Sequence, residues 1–171
     1  MPSKRLRDTL AAAAYHEAGH AVMCRSVRLA INSISVVPDG LFSGAISHRN
    51  PFEAAEFEPG DSDRARLKIE KVIMVCMAGP VAERKYAPKE SLRGHGGAVD
   101  FDMAADLALR LFRSKTTADA YLRFVEVWVR QKLDDPSRWR AVECLAEALM
   151  RQGRLSGREA ESIIAGALRP A

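Results

Sequence analysis

The chain has 171 residues, of which 47% are hydrophobic and 28% charged, a composition typical of a globular protein with a core of its own. Its 26 basic and 22 acidic residues leave a net charge of +4, too small and too dispersed to indicate a nucleic-acid partner. The longest apolar run, residues 72–82, is shorter than the roughly 20 residues that cross a bilayer, so we expect no membrane segment.

The cysteines and the chain organisation indicate a cytoplasmic protein of one domain. Cys24, Cys76 and Cys144 are odd in number, far apart and surrounded by apolar residues, which is typical of core thiols in a reducing compartment. No signal peptide, internal repeat or linker is evident. We therefore expect residues 1–171 to form a single cytoplasmic domain.

The first elements are a helix and a β-hairpin. A helix is expected from Asp8 or Thr9, either of which could cap it, to about Val27. Residues 33–48 then contain two extended, partly β-branched runs around the turn signal Pro-Asp-Gly at 38–40. Two strands alone are marginally stable, so the predicted hairpin must pack on helices.

A long apolar helix is predicted next, after an irregular loop over residues 49–61. Its cap is Asp61 or Ser62, and Pro80 is expected to kink the helix rather than to end it, since favourable residues follow. The apolar positions cover much of the circumference, which predicts the central buried helix. These positions are Leu67, Ile69, Val72, Ile73, Cys76 and Met77.

The remainder of the chain predicts helices. A loop over residues 87–99 precedes a helix that opens at Asp100 and runs to about Arg113, and three further helices follow. The expected fold class is mainly α with one small β-hairpin. The signals for the last three helices are a Thr116/Asp119 capping box with an end near Leu133, the Asp135 cap with Pro136 and a stop at Gly153, and a Ser156/Glu159 capping box.

The most informative motif is the sequence HEAGH at residues 16–20, which matches the H-E-x-x-H pattern of zinc hydrolases. On a helix, His16 and His20 lie one above the other and can share one metal ion, while Glu17 can reach a metal-bound water as a general base. With this composition about 0.006 such patterns are expected by chance, so a solvated polar face is the weaker interpretation.

A catalytic zinc site needs one more protein ligand and an open position for water. The candidates are Asp100, Asp102, His95 and Glu83. Spacing does not choose among them, and Asp100 alone could equally be an ordinary helix cap.

These residues resemble the peptidase domain of the FtsH-type, AAA+ associated zinc metalloproteases, and the resemblance covers nearly the whole chain. The similar segments are AYHEAGHA at 14–21, the hairpin at 34–44 with its VVPDG core, AGPVAE at 78–83, GAVD at 97–100 followed by Ala104 and Ala105, and more weakly LSGRE at 155–159.

The resemblance implies a helical zinc-metallopeptidase domain in which His16, His20 and Asp100 hold Zn²⁺ and Glu17 is the catalytic base. It also implies that the hairpin edge receives an extended peptide by strand addition. Members of that family carry an ATPase module and membrane anchors, whereas these 171 residues contain no P-loop pattern, and Pro80 stands where an arginine is common. Partners could therefore include a separate ATPase or further copies of the chain.

Two functions follow as hypotheses. The first is a zinc-dependent endopeptidase that hydrolyses peptide bonds in peptides or unfolded protein with a metal-activated water. The alternative is a catalytically silent zinc-binding regulator or adaptor that docks a partner protein through its hairpin edge. The intact Glu17 favours the enzyme, since a purely structural site normally closes its fourth position with Cys or His.

Overall fold

A computed structural model describes residues 4–37, 45–48, 63–88 and 95–169. The fold class is mainly α with a small antiparallel strand pair, as the sequence predicts. In chain order the elements are α1 (Lys4–Ser26), β1 (Ile31–Ser35), β2 (Ala45–His48), α2 (Asp63–Tyr86), α3 (His95–Phe112), α4 (Lys115–Asp134), α5 (Pro136–Gln152), β3 (Arg154–Ser156) and α6 (Gly157–Ala167).

The central element is α2, which packs against α1, α3 and α4. Its buried positions include most of those predicted, but Leu67 is exposed because it lies about 160° around the helix from the buried Ile69. The helix continues through Pro80, as expected. No helix in the described part of the chain is both long enough and apolar enough to span a bilayer.

The predicted hairpin is present as the pair β1 and β2, with Ile34 opposite Ile46 and Ser35 opposite Ala45. The turn signal at 38–40 and the loop at 49–61 lie outside the described residues. A third strand, β3, was not predicted, and it pairs with the other edge of β1 to give the order β2-β1-β3. Three residues between a helix stop and a helix cap are too few to show an alternating pattern.

Two predicted helix starts are wrong, and the second error changes the position of Asp100 within its helix. Helix α1 begins at Lys4 rather than at Asp8 or Thr9, and α3 begins at His95 rather than at Asp100. Glycines at 96 and 97 lower the intrinsic helix propensity, but packing overrides propensity there: a Cβ built on Gly97 would meet Pro80 of α2 at ordinary contact distance. Asp100 is therefore a residue of the helix interior and not its cap.

Of the caps predicted for the last three helices, that of α4 is wrong and those of α5 and α6 are confirmed. Ser114, rather than Thr116, caps α4 by accepting from the Thr117 N–H, and Asp119 instead pairs with Lys115. Asp135 caps α5 ahead of Pro136, and Gly153 ends that helix with a φ of 74°. The Ser156/Glu159 capping box of α6 forms in full.

Helices α1 and α2 approach most closely beside the HEAGH motif. A Cβ added to Gly19 would lie 2.5 Å from the Ala82 Cβ and 2.6 Å from the Ala78 carbonyl oxygen, so only glycine permits this crossing. The small residues Ala78 and Ala82 complete a contact in which backbones nearly touch. The same crossing brings the histidines of α1 against α2.

We expect Gly19→Ala to lower the free energy of unfolding. Overpacking costs about 1–3 kcal/mol, which outweighs the roughly 1 kcal/mol gained from the better helix former. Urea denaturation followed by circular dichroism measures the change. Gly166→Ala in α6 is the matched control, because a Cβ there meets nothing within 4 Å. Equal stability of the two variants would contradict the close crossing.

Candidate metal centre

Helix α1 presents both histidines of the motif on one buried face. His16 and His20 are four residues apart, and their rings meet edge to face with centroids 4.7 Å apart. The two Nε2 atoms are 3.0 Å apart. The structure thus brings the predicted pair together with the same nitrogen of each ring facing a common point.

The other nitrogen of each ring is held by α2. His20 Nδ1 donates to the Val75 carbonyl oxygen at 2.7 Å, and His16 Nδ1 donates to Glu83 Oε2 at 2.8 Å. Because a carbonyl can only accept, the Nδ1 of a neutral His20 carries the proton and its Nε2 presents a lone pair. Such partners fix the tautomer and the ring orientation of metal-ligating histidines.

The third group at this point is Asp100 of α3. Its Oδ2 lies 2.8 Å from His16 Nε2 and 3.2 Å from His20 Nε2. Asp100 is in the second turn of the helix and shares its inward face with Ala104, Leu107 and Ala108, which are buried. Together His16, His20 and Asp100 form a group that could hold a metal ion.

The electrostatics of this group favour a positive charge. When both rings are neutral and protonated on Nδ1, two imidazole lone pairs and a carboxylate oxygen converge on one point, where a proton or a metal ion can bind. Burial by itself lowers the pKa of His16, but its hydrogen bonds with Asp100 and Glu83 outweigh burial and raise that pKa to about 10. Burial raises the pKa of Asp100, and hydrogen bonds with the two histidines outweigh this and lower it.

The spacing of the three atoms suits a small divalent ion. Donor atoms at about 2.0–2.1 Å from a tetrahedral zinc are roughly 3.3 Å from one another. The observed separations of 2.8–3.2 Å are slightly shorter than this distance. Two imidazoles and one carboxylate are also a donor set that catalytic zinc accepts.

Space beside the imidazoles depends on Gly79 of α2. A Cβ at this position would lie against His20 Nε2, 2.5 Å from His20 Cε1 and 2.7 Å from His16 Nε2. Any other residue would therefore occupy the volume next to the converging donor atoms.

Gly79→Ala should therefore reduce the affinity for added zinc by more than about 100-fold, because displacing both rings exceeds the 10–100-fold cost of losing one outer partner. The added methyl group meets movable ring tips rather than backbone, so we expect the protein to remain folded. Competition with a chromophoric chelator measures the affinity, and Gly166→Ala again serves as the control. Unchanged zinc affinity in Gly79→Ala would show that the rings do not need this space.

Glu17 lies beside the group without belonging to it. The residue is only 6% exposed, and its Oε2 is buried with no hydrogen-bond partner among the described residues. Burial raises the pKa of Glu17, while the charges of His20 and His16 act in the opposite direction. A buried carboxylate oxygen without a partner is costly, and such atoms mark places where a further molecule or ion is required.

The other three candidates for the third metal ligand were Glu83, Asp102 and His95. Glu83 contacts the opposite nitrogen of His16 and so positions a ligand instead of facing the common point. Asp102 is exposed on the outer face of α3. The side chain of His95 lies outside the described part of the structure.

Sequence reasoning missed the supporting roles of Glu83, Gly79 and the Val75 carbonyl. Helical spacing offered one signal, because Val75, Gly79 and Glu83 follow each other at intervals of four along α2 and so share one face. That spacing predicts that the three residues share one face of α2, but it does not predict that α1 packs on this face.

No protein-family model and no curated protein matches this chain. The site itself provides the chemistry that bears on function: three converging donor atoms, the outer partners that orient them and the buried Glu17.

Proposed function

We propose that this protein is a zinc-dependent endopeptidase that hydrolyses peptide bonds in peptides or unfolded protein. The observation that carries the proposal is the convergence of His16, His20 and Asp100 beside the buried, unpartnered carboxylate oxygen of Glu17. The three metal-ligand candidates alone, or the buried carboxylate of Glu17 alone, could have a purely structural role. Their combination is what a metal-dependent hydrolase requires.

Zinc is the ion that fits this donor set best. Structural zinc sites are closed by four protein ligands, commonly cysteines, whereas catalytic sites have three and leave one position open. Only three donor residues form the group within the described ranges, and none is a cysteine. A bound zinc ion would supply Lewis-acid polarisation of the substrate carbonyl and of water.

Glu17 performs the proton transfers in this proposal. Its Oε2 accepts a proton from water as the water oxygen bonds to the carbonyl carbon of the peptide. The carbon–nitrogen bond then breaks, and Glu17 delivers the same proton to the leaving amine. Burial assists this exchange, because a raised pKa brings a carboxylate closer to the range in which it both accepts and returns a proton at neutral pH.

The remaining residues of the site orient the metal ligands. The Val75 carbonyl and Glu83 fix the two imidazole rings, and the charge of Glu83 makes His16 a stronger donor toward a metal. Asp100 supplies a negative charge that favours binding of a cation. These contacts come from α2 and α3, so the rings of α1 do not have to reorganise during the reaction.

The resemblance to FtsH-type peptidase domains extends the proposal to a class of substrate and to partners. Extended or unfolded chains are the proposed substrates, with the edge of β2 as the proposed docking strand. A separate ATPase or further copies of this chain are the proposed partners. In this proposal such a partner supplies unfolded substrate to the peptidase.

The test combines metal content with hydrolysis. Purified protein is expected to bind about one zinc ion per chain and to cleave a fluorescently quenched unfolded protein. Chelation should abolish cleavage, and added zinc should restore it. A protein that binds no zinc contradicts the proposal. A protein that binds zinc but cleaves neither peptides nor unfolded chains favours the zinc-binding regulator instead.

A further inference from the structure

A surface cavity of about 480 Å³ lies at the C-terminal end of α1. Its volume is within the range of about 300–1,000 Å³ that is usual for small-ligand sites. None of its lining residues belongs to the group that could hold a metal ion. The lining consists of four residues from the end of α1 and its link to β1, and one residue from α6: Arg25, Arg28, Leu29, Ala30 and Glu161.

The charge of this cavity is positive. Two arginines against one glutamate leave one positive charge without a counter-charge in the lining. Arg25 Nη1 donates to Glu161 Oε2 at 2.7 Å, so these two charges are paired. The guanidinium group of Arg28 is exposed and has no hydrogen bond or ion pair within the described part of the chain. The unpaired charge is therefore that of Arg28.

Arg28 also has a backbone conformation that arginine rarely adopts. Its φ is 61°, in the left-handed region. The Leu29 N–H donates to the Cys24 carbonyl oxygen and the Arg28 N–H to that of Arg25, which is the Schellman pattern of a helix end. Glycine is usual at this position because it has no Cβ to clash. Closure of the helix thus favours glycine and makes no use of the Arg28 guanidinium group.

The chemistry of the arginine side chain indicates what the cavity accepts. A planar guanidinium group presents its N–H donors in a fork that matches the oxygen atoms of a carboxylate or a phosphate. The pair with Glu161 uses one nitrogen of Arg25, so the other N–H donors of that side chain are still available. Because the turn after α1 is held by two backbone hydrogen bonds, both arginines line the cavity before a ligand arrives.

We propose that this cavity is an anion-binding site that takes the phosphate or carboxylate group of a small polar ligand, with Arg28 as the principal contact. Arg25 provides further donors, and the uncharged part of the ligand lies against Leu29 and Ala30. The proposal goes beyond the endopeptidase function and does not depend on it, because the two sites share no residue.

A titration of isotope-labelled protein with sodium phosphate at constant ionic strength, followed by two-dimensional amide NMR, tests the site. Saturable shifts are expected at the backbone amides of residues 25–30 and of Glu161. Sodium acetate provides a second arm: tighter binding of phosphate identifies a phosphate ligand, and tighter binding of acetate identifies a carboxylate ligand. Arg28→Gln should weaken the binding about tenfold or more, because hydrogen bonds to charged groups are among the stronger ones.

The matched control is Arg123→Gln, which makes the same chemical change at an exposed arginine of α4. It should leave phosphate binding unaltered. Arg28→Gly is a second variant and should lose binding as Arg28→Gln does. Its melting temperature without phosphate should nevertheless rise by about 2–4 °C, because glycine accepts the left-handed backbone without steric cost.

The outcomes of the titration separate this site from the metal centre. Saturable binding that both Arg28 variants weaken and Arg123→Gln does not weaken supports the site. No binding, equal binding by all variants, or shifts that grow without saturation at basic residues throughout the protein would overturn it. Shifts confined to His16, His20 and Asp100 would also overturn it, because the anion would then bind at the metal centre. None of these results decides whether the protein hydrolyses peptides.

Discussion

Replacing Glu17 with glutamine is expected to abolish peptide hydrolysis while leaving zinc content unchanged. Glutamine has nearly the same shape but cannot accept and return a proton at neutral pH. Loss of a general base typically lowers kcat by about 10²–10⁴-fold. The effect should therefore appear in kcat, measured with a quenched peptide, with little change in KM.

The fold offers little reason for this variant to fail structurally. Glu17 Oε2 has no hydrogen-bond partner among the described residues, so the substitution removes no contact of that atom. It also removes the cost of keeping a buried carboxylate ionised. The melting temperature should be equal to that of the wild-type protein or higher. Wild-type hydrolysis by Glu17→Gln would refute the role of Glu17 as the base.

Replacing Asp100 with asparagine is expected to reduce zinc affinity by more than about 100-fold, since losing even an outer partner of a metal ligand costs 10–100-fold. Asparagine keeps the shape but removes the negative charge that faces His16 Nε2 and His20 Nε2. Zinc competition with a chelator of known affinity measures the change. Hydrolysis at limiting zinc should fall in parallel.

The matched control for this variant is on the same helix. Asp102→Asn makes the same chemical change two residues away, on the exposed face of α3. We expect it to leave both zinc affinity and hydrolysis unchanged. If Asp102→Asn impaired zinc binding and Asp100→Asn did not, the third ligand would have been assigned to the wrong residue.

The helical half of the site could be predicted from sequence because it is local. His16 and His20 are separated by one helical turn, so any helix over HEAGH places them together. Asp100 could not be chosen by spacing, since its position depends on how both α1 and α3 pack on α2. A correct start for α3 would have helped: from His95 onward, Asp100 shares the apolar stripe with Ala104, whereas Asp102 does not.

The strands, too, could be predicted only where the paired residues are close in sequence. The pair β1 and β2 could be predicted from its turn signal and β-branched residues, which are neighbours in sequence. Strand β3 pairs with β1 across more than a hundred residues and is only three residues long. Neither its length nor its composition distinguishes it from a turn between α5 and α6.

The hydrogen bonds that join His16 and His20 to Asp100 span 84 and 80 residues of chain. An ion held at that point would act as a tether between the N-terminal helix and the middle of the polypeptide. Because it would bind only the folded protein, about a thousandfold excess over its dissociation constant would add roughly 4 kcal/mol to the free energy of unfolding. Stripping the ion should therefore lower the melting temperature in a calorimetric scan, and metal supply would govern the lifetime of the fold as well as its chemistry.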